Sequence, residues 1–126
     1  MILVLKGQLP SGKNQIKLCV RGGKIHKYPD ARFILWREDV LNQIVAQRGT
    51  KPTAAMPVVL RVEYTPGDRR VRDVSGILDA IFHVLAKAGT IDDDGLIWDV
   101  HWLRRPMKKD APGAIITLTE YAGEHA

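Results

Sequence analysis

Five aspartates carry most of the chemistry open to this chain: Asp73, Asp79 and the run Asp92-Asp93-Asp94. Three adjacent acids repel one another, and where they follow a helix they also oppose its dipole. Such a run costs stability unless water fully solvates it or a cation sits there. Hard divalent ions such as Mg²⁺ take carboxylate oxygens and keep several waters, so two or three aspartates suffice to hold one. Around this acidic island lie three basic groups. Lys6, Lys13, Lys17, Arg21, Lys24 and Lys27 precede Asp30 with no acid among them, Arg69, Arg70 and Arg72 form a second group, and Arg104, Arg105, Lys108 and Lys109 a third. Carboxylates that hold a metal, approached through arginines, suit hydrolysis of a phosphodiester. Each feature also has a plainer role. Asp73 is placed to cap a helix, Asp79 and His83 to form a surface i,i+4 pair, and any one basic cluster to solvate a face.

Other chemistries are poorly supported. Ser11-Gly12-Lys13-Asn14 resembles the end of a phosphate-binding loop but lacks the upstream glycine, and no nucleophile elbow occurs. The histidines (His26, His83, His101, His125) are scattered, and one cysteine, Cys19, provides neither a disulfide framework nor a cysteine zinc site. With 126 residues, 45% hydrophobic and 26% charged, the chain reads as one globular domain over residues 1–126. No apolar window approaches the roughly 18 residues that span a bilayer. The apolar run Ile2–Leu5 lacks a preceding basic residue, so it does not read as a signal peptide. A cytoplasmic protein is the expectation. Nineteen Lys+Arg against fourteen Asp+Glu give a net charge of +5, which favours an anionic partner.

The elements that must position these residues follow from periodicity. Ile2–Leu5 reads as a buried strand. Ile16, Leu18 and Val20 alternate with polar residues up to Gly22-Gly23, and Lys24–Tyr28 follows, a hairpin signal because both glycines tolerate positive φ. Asp30 is placed to cap a helix carrying Phe33, Ile34, Val40, Leu41, Ile44 and Val45, with Gly49 as its stop. Val58–Tyr64 alternates as a strand. Ile77, Ala80, Ile81, Val84, Leu85 and Ala88 form the stripe of a second helix, from about Val74 to Ala88. Leu96–Leu103 and Ala114–Tyr121 alternate again, which sets Trp98 and Trp102 on one core face with Leu96 and Val100. The expected fold is α+β, a two-layer single domain with a mixed sheet packed against two helices in the order β-ββ-α-β-α-β-β.

The chain resembles the RusA family of Holliday-junction resolvases, small dimeric Mg²⁺-dependent endonucleases typical of phages and prophages. The resemblance rests on Gln8-Leu9-Pro10-Ser11-Gly12-Lys13-Asn14, on Arg70-Val71-Arg72-Asp73-Val74-Ser75-Gly76, on Leu85–Gly89 with Ile91-Asp92-Asp93-Asp94, and on the last strand through Glu120. It implies cytoplasmic cleavage of branched DNA, the four-way junction above all, by a homodimer in recombination and repair, with Mg²⁺ or in its place Mn²⁺. The family's catalytic groups are three aspartates and a lysine. The first aspartate falls on Asp73, and the Asp-Asp pair on Asp93 and Asp94. The second aspartate falls on Ser75, its following asparagine on Gly76, and the lysine on Asp79. Asp79 shares a helical face with Ser75, so the reading is a relocated ligand: Asp73, Asp79 and Asp94 as catalytic and metal-holding groups, with Asp93 assisting. Since Asp73 and Asp94 bracket a helix about 22 Å long, either the loop from Gly89 folds back along it or a second subunit completes the site. Lys13, Asn14, Arg69, Arg70 and Arg72 are expected on phosphates near the cut, and Lys24, Lys27, Arg104, Arg105, Lys108 and Lys109 on the outer DNA surface. The alternative is a junction-binding protein on the same scaffold whose chemistry lapsed with Ser75, Gly76 and Asp79.

Overall fold

The computed structural model describes residues 1–10, 16–29 and 31–123, with side chains left out of the description at 16–21 and 25–29. Lys13, Asn14 and the Asp30 cap therefore lie outside the described residues, as does the side chain of Lys27. The elements are β1 (Ile2–Lys6), β2 (Ile16–Arg21), β3 (Lys24–Pro29), α1 (Ala31–Arg48), β4 (Val58–Thr65), α2 (Val74–Lys87), β5 (Ile97–Arg104) and β6 (Gly113–Glu120), with one 3-10 turn, Asp94–Leu96, ahead of β5. Their order is the one that periodicity predicts.

Two sheets form from these strands. A four-stranded sheet runs β1-β6-β4-β5, with β4 and β5 parallel and the other pairs antiparallel, while β2 and β3 pair as a separate hairpin. That hairpin turns at Gly22 (φ 58°) and Gly23 (φ 74°), the positive-φ pair that a two-residue turn needs. Both helices pack on one face of the larger sheet. Leu3 and Leu5 of β1, Leu60, Val62 and Tyr64 of β4 and Ile116 and Leu118 of β6 meet Val40 and Ile44 of α1 and Ile77, Ile81, Val84 and Leu85 of α2. This matches the apolar stripe of α2 and every second residue of the strands.

The edge formed by β1 is covered by α1. Gln47 accepts from Val4 N at 2.7 Å and donates to Val4 O at 2.7 Å. One turn earlier, Gln43 accepts from Lys6 N at 2.7 Å and donates to Lys6 O at 3.0 Å. Two glutamine amides thus stand where a neighbouring strand's peptide groups would, which closes an edge open to pairing.

On the other edge the alternation of β5 breaks. The β4–β5 register shifts between Val58, opposite Ile97, and Val59, opposite Asp99. The extra residue is Trp98, and it points outward, 61% exposed, with its ring edge-on to Tyr121 at 5.4 Å. Trp102, beyond the bulge, packs inward against Tyr64 at 5.3 Å. The expectation that both tryptophans share a core face therefore holds only for Trp102, because a bulge inverts the facing of what precedes it.

The parallel pairing of β4 and β5 fixes where the loops lie. Parallel neighbours require the intervening chain to return along the full length of the strands. Hence the loop before α2 and the loop after it sit at opposite ends of the sheet, separated by a 14-residue helix about 21 Å long.

Candidate functional site

At the N-terminus of α2, Asp73 takes its capping role. Its backbone is extended (φ −73°, ψ 118°), and its Oδ1 accepts from Ser75 N at 3.2 Å and from Ser75 Oγ at 3.0 Å. The hydroxyl of Ser75, at the position of the family's second aspartate, is thus bonded to Asp73.

The remaining acids gather elsewhere. Asp79, Phe82, His83, Ala86 and Lys87 of α2 line an open depression of about 580 Å³ whose other wall is Asp92, Asp93 and Asp94. After α2 the chain folds back along the helix, and the 3-10 turn holds the acidic run there. Asp93 caps that turn, accepting from Gly95 N at 3.2 Å. Among the described residues, the carboxylates of Asp79, Asp92 and Asp94 take no hydrogen bond or ion pair, the expected Asp79–His83 pair included. Asp73 is not part of this lining. It lies six residues before Asp79, about 9 Å along the helix axis. The structure therefore brings Asp79 together with Asp93 and Asp94, adds Asp92, and leaves Asp73 at the helix end.

Fit to a divalent cation can be judged from the donors. All four lining acids are exposed carboxylates, the oxygen donors that a hard cation takes, and three of them have no protein donor of their own. Among the described residues no three acidic, histidine or cysteine side chains converge into a ready cage. Mg²⁺ does not require one, since it is commonly held by one or two carboxylates with waters and substrate phosphate completing its shell. The residues suit the ion in kind.

Sequence reasoning did not single out Lys87 or a site role for His83. Both follow Asp79 at four-residue steps and so share its face of α2. Burial pushes the His83 imidazole below its ordinary pKa, and the charges of Arg37 and Lys87 add to the effect. The ring also lies 6.3 Å from that of Phe33. The i, i+4, i+8 spacing was legible; that the acidic run would face it was not.

The basic residues collect at the opposite end. Arg105 N donates to Tyr64 O at 2.7 Å and Lys108 N to Pro66 O at 2.9 Å, which ties the loop after β5 to the loop after β4. Gln8 fastens the first loop to the same place, donating to Tyr64 Oη at 2.7 Å and accepting from Gly67 N at 2.7 Å. Arg69, Arg70, Arg104, Lys108 and Lys109 are exposed there, and Lys24 is exposed on the separate hairpin. Two arginines of the expected set have protein partners. Arg105 donates to Glu63, whose carboxyl it holds below its ordinary pKa. Arg72, expected on a phosphate, has a side chain only 10% exposed that donates to both oxygens of Asp68, at 2.6 and 2.9 Å. It fixes the loop on which Arg69 and Arg70 stand.

No family model matches the chain. Individual proteins do. The crossover junction endodeoxyribonuclease RusA of Aquifex aeolicus is 29% identical over 117 residues, 90% of this chain and 87% of that protein. Those of Escherichia coli K12 and Enterobacteria phage 82 are 38% identical over 71 residues, 56% of this chain and 58% of theirs. The chain is thus similar to RusA crossover junction endodeoxyribonucleases, over nearly its whole length in one case and over about half of it in the others. Ser75, Gly76 and Asp79 stand where the resemblance places an aspartate, an asparagine and a lysine. Among the described residues no helix is long and apolar enough to cross a membrane.

Proposed function

We propose that this protein is a structure-specific endodeoxyribonuclease that cuts four-way and related branched DNA, in recombination and repair, as a cytoplasmic homodimer dependent on Mg²⁺. The observation that carries the reading is the gathering of Asp79 with Asp92, Asp93 and Asp94 in one open depression, three of the carboxylates unpaired, on a RusA-type chain. One or two of Asp79, Asp93 and Asp94 would hold the cation, with water and substrate phosphate completing its shell and Asp92 beside them. When bound, the ion supplies water activation and charge neutralisation at the phosphodiester. Lys87, on the same face, sits where it can hold a phosphate oxygen, and His83, kept neutral near pH 7, can accept or pass a proton at an imidazole nitrogen. The 3′ oxygen leaves, giving 5′-phosphate and 3′-hydroxyl ends.

Arg69, Arg70, Arg104, Lys108 and Lys109 supply the long-range attraction for phosphates. They stand at the end of the sheet where α2 begins, whereas Asp92, Asp93 and Asp94 follow the other end of that helix. A two-fold dimer would present paired sites to the paired strands of a junction. The deciding experiment is nicking of a labelled synthetic four-way junction with Mg²⁺ and with EDTA, beside linear duplex. Symmetric cuts in the junction alone, lost in EDTA and reduced at least 100-fold in Asp79→Asn and Asp94→Asn, are expected. A fully active Asp79→Asn protein would refute the relocated ligand. The bond between Ser75 and Asp73, where the resemblance expects two carboxylates, favours a second reading: a junction-binding protein without cleavage. Tight junction binding with no cut in Mg²⁺ or Mn²⁺ would establish it.

A further inference from the structure

The acidic run does not hang from α2 alone. The helix ends at a left-handed glycine, Gly89 (φ 73°), and the chain then passes alongside the segment that joins α1 to β4. There Ala54 N donates to Thr90 O at 3.0 Å and Asp92 N donates to Ala54 O at 2.9 Å, a parallel bridge centred on Ala54 and Ile91. Just before it, the Thr53 hydroxyl donates to Gly89 O at 2.7 Å and accepts from Arg48 Nη2 at 2.9 Å. Arg48 is the last residue of α1, and its guanidinium lies over Gly89. Thr90 and Ile91, the links between these bonds and Asp92, are each 1% exposed and so cannot give way without opening the core. The helix that ends at Arg48 is itself held to the sheet, since its Gln43 and Gln47 are bonded to the edge of β1.

From this we infer that Arg48, Thr53 and Ala54 are positioning residues for the acidic site: they form a brace that sets Asp92, Asp93 and Asp94 opposite Asp79. None of them lines the depression, so they act only through the loop. The inference rests on the proposed reading of these acids as the cation-holding groups. Its physical basis is the cost of placement. Four like charges drive the loop outward, and an exposed loop tied only to α2 would follow them. Hydrogen bonds from a second element resist that motion and keep the carboxylates facing Asp79 across the depression. Outer partners of metal-holding groups are typically worth about 10-fold or more in metal affinity.

Thr53 is the residue to test, because Thr53→Val keeps the shape and removes both bonds, whereas Thr53→Ser keeps the hydroxyl. Mn²⁺ titration of the protein without DNA should show roughly 10-fold weaker binding in Thr53→Val and binding within about two-fold of the unmodified chain in Thr53→Ser. Junction affinity measured in EDTA should be unchanged in both, since no DNA-facing residue moves. Hydrogen exchange at the Asp92 amide should quicken in Thr53→Val alone. Equal Mn²⁺ affinity in Thr53→Val and the unmodified chain would overturn the brace. Should the unmodified chain take up no Mn²⁺, the cation reading itself falls, and unaltered exchange at Asp92 would then overturn the brace on its own.

Discussion

The Asp68 carboxyl has a pKa of about 2 against an ordinary 3.8, chiefly through its hydrogen bonds from Arg72 and secondarily through that from Arg70 N. A carboxyl whose folded pKa is depressed stabilises the fold above its unfolded value and loses that contribution as pH falls through the folded one. The pair should therefore hold at full strength above about pH 4 and fail as the pH approaches 2. Asp68→Asn is expected to lower the denaturation midpoint at neutral pH and to flatten its decline between about pH 4 and 2, as followed by thermal melts across that range. The same bond explains why Arg72 differs from its neighbours. Residue types alone make Arg69, Arg70 and Arg72 equivalent, but an acid four residues back, at 68, captures only the last. Asp73 is a parallel case. Its capping geometry was legible from its place before an apolar stripe, whereas its absence from the acidic depression was not.

At the scale of elements, the bulge in β5 decides which tryptophan supports the core. Trp102→Ala should cost about 3 kcal/mol, as for a large aromatic lost from packing. Trp98→Ala should cost under about 1 kcal/mol, since it forfeits little beyond an edge contact with Tyr121. Urea denaturation of the two variants checks this, and equal losses would mean that the register does not shift. Strand alternation finds β5 because Val100 and Trp102 alternate with His101 and Leu103 beyond the bulge. It cannot place a bulge, which depends on how Val58 and Val59 meet the neighbouring strand. Likewise Gln43 and Gln47 read as ordinary polar positions of α1. Their bonding to β1 appears only when the helix lies along that edge.

For the whole molecule, the consequence is a division of charge. Arg69, Arg70, Arg104, Lys108 and Lys109 stand exposed at one end, on and beside the loops that follow β4 and β5, and the acids lie along α2 toward the other. Association with DNA should be governed by the basic end. Arg70→Ala is expected to weaken junction binding uniformly and to reduce the slope of log affinity against log salt by about 1, whereas Arg72→Ala should leave the slope unchanged and lower the melting temperature instead. Binding isotherms over a range of salt, taken in EDTA, separate the two. If the chain dimerises as proposed, its sedimentation mass should be twice the 14.1 kDa of one chain.

Element order, the two-layer class, the hairpin at Gly22-Gly23 and the stripe of α2 were determined by the sequence itself, because side-chain period and glycine φ are local properties. The resemblance to RusA was also written in linear motifs. Only the tertiary structure decided which acids share a site. Asp73 and Asp79 are near in sequence but lie at different heights on one helix. Asp79 and Asp94 are fifteen positions apart, and they meet because the loop from Gly89 is turned back and bonded to Thr53 and Ala54. Such placement depends on bonds between segments that no local pattern links. It also decided which cations stay free for an anionic partner, since Arg72 and Arg105 are paired by neighbours that the fold supplies.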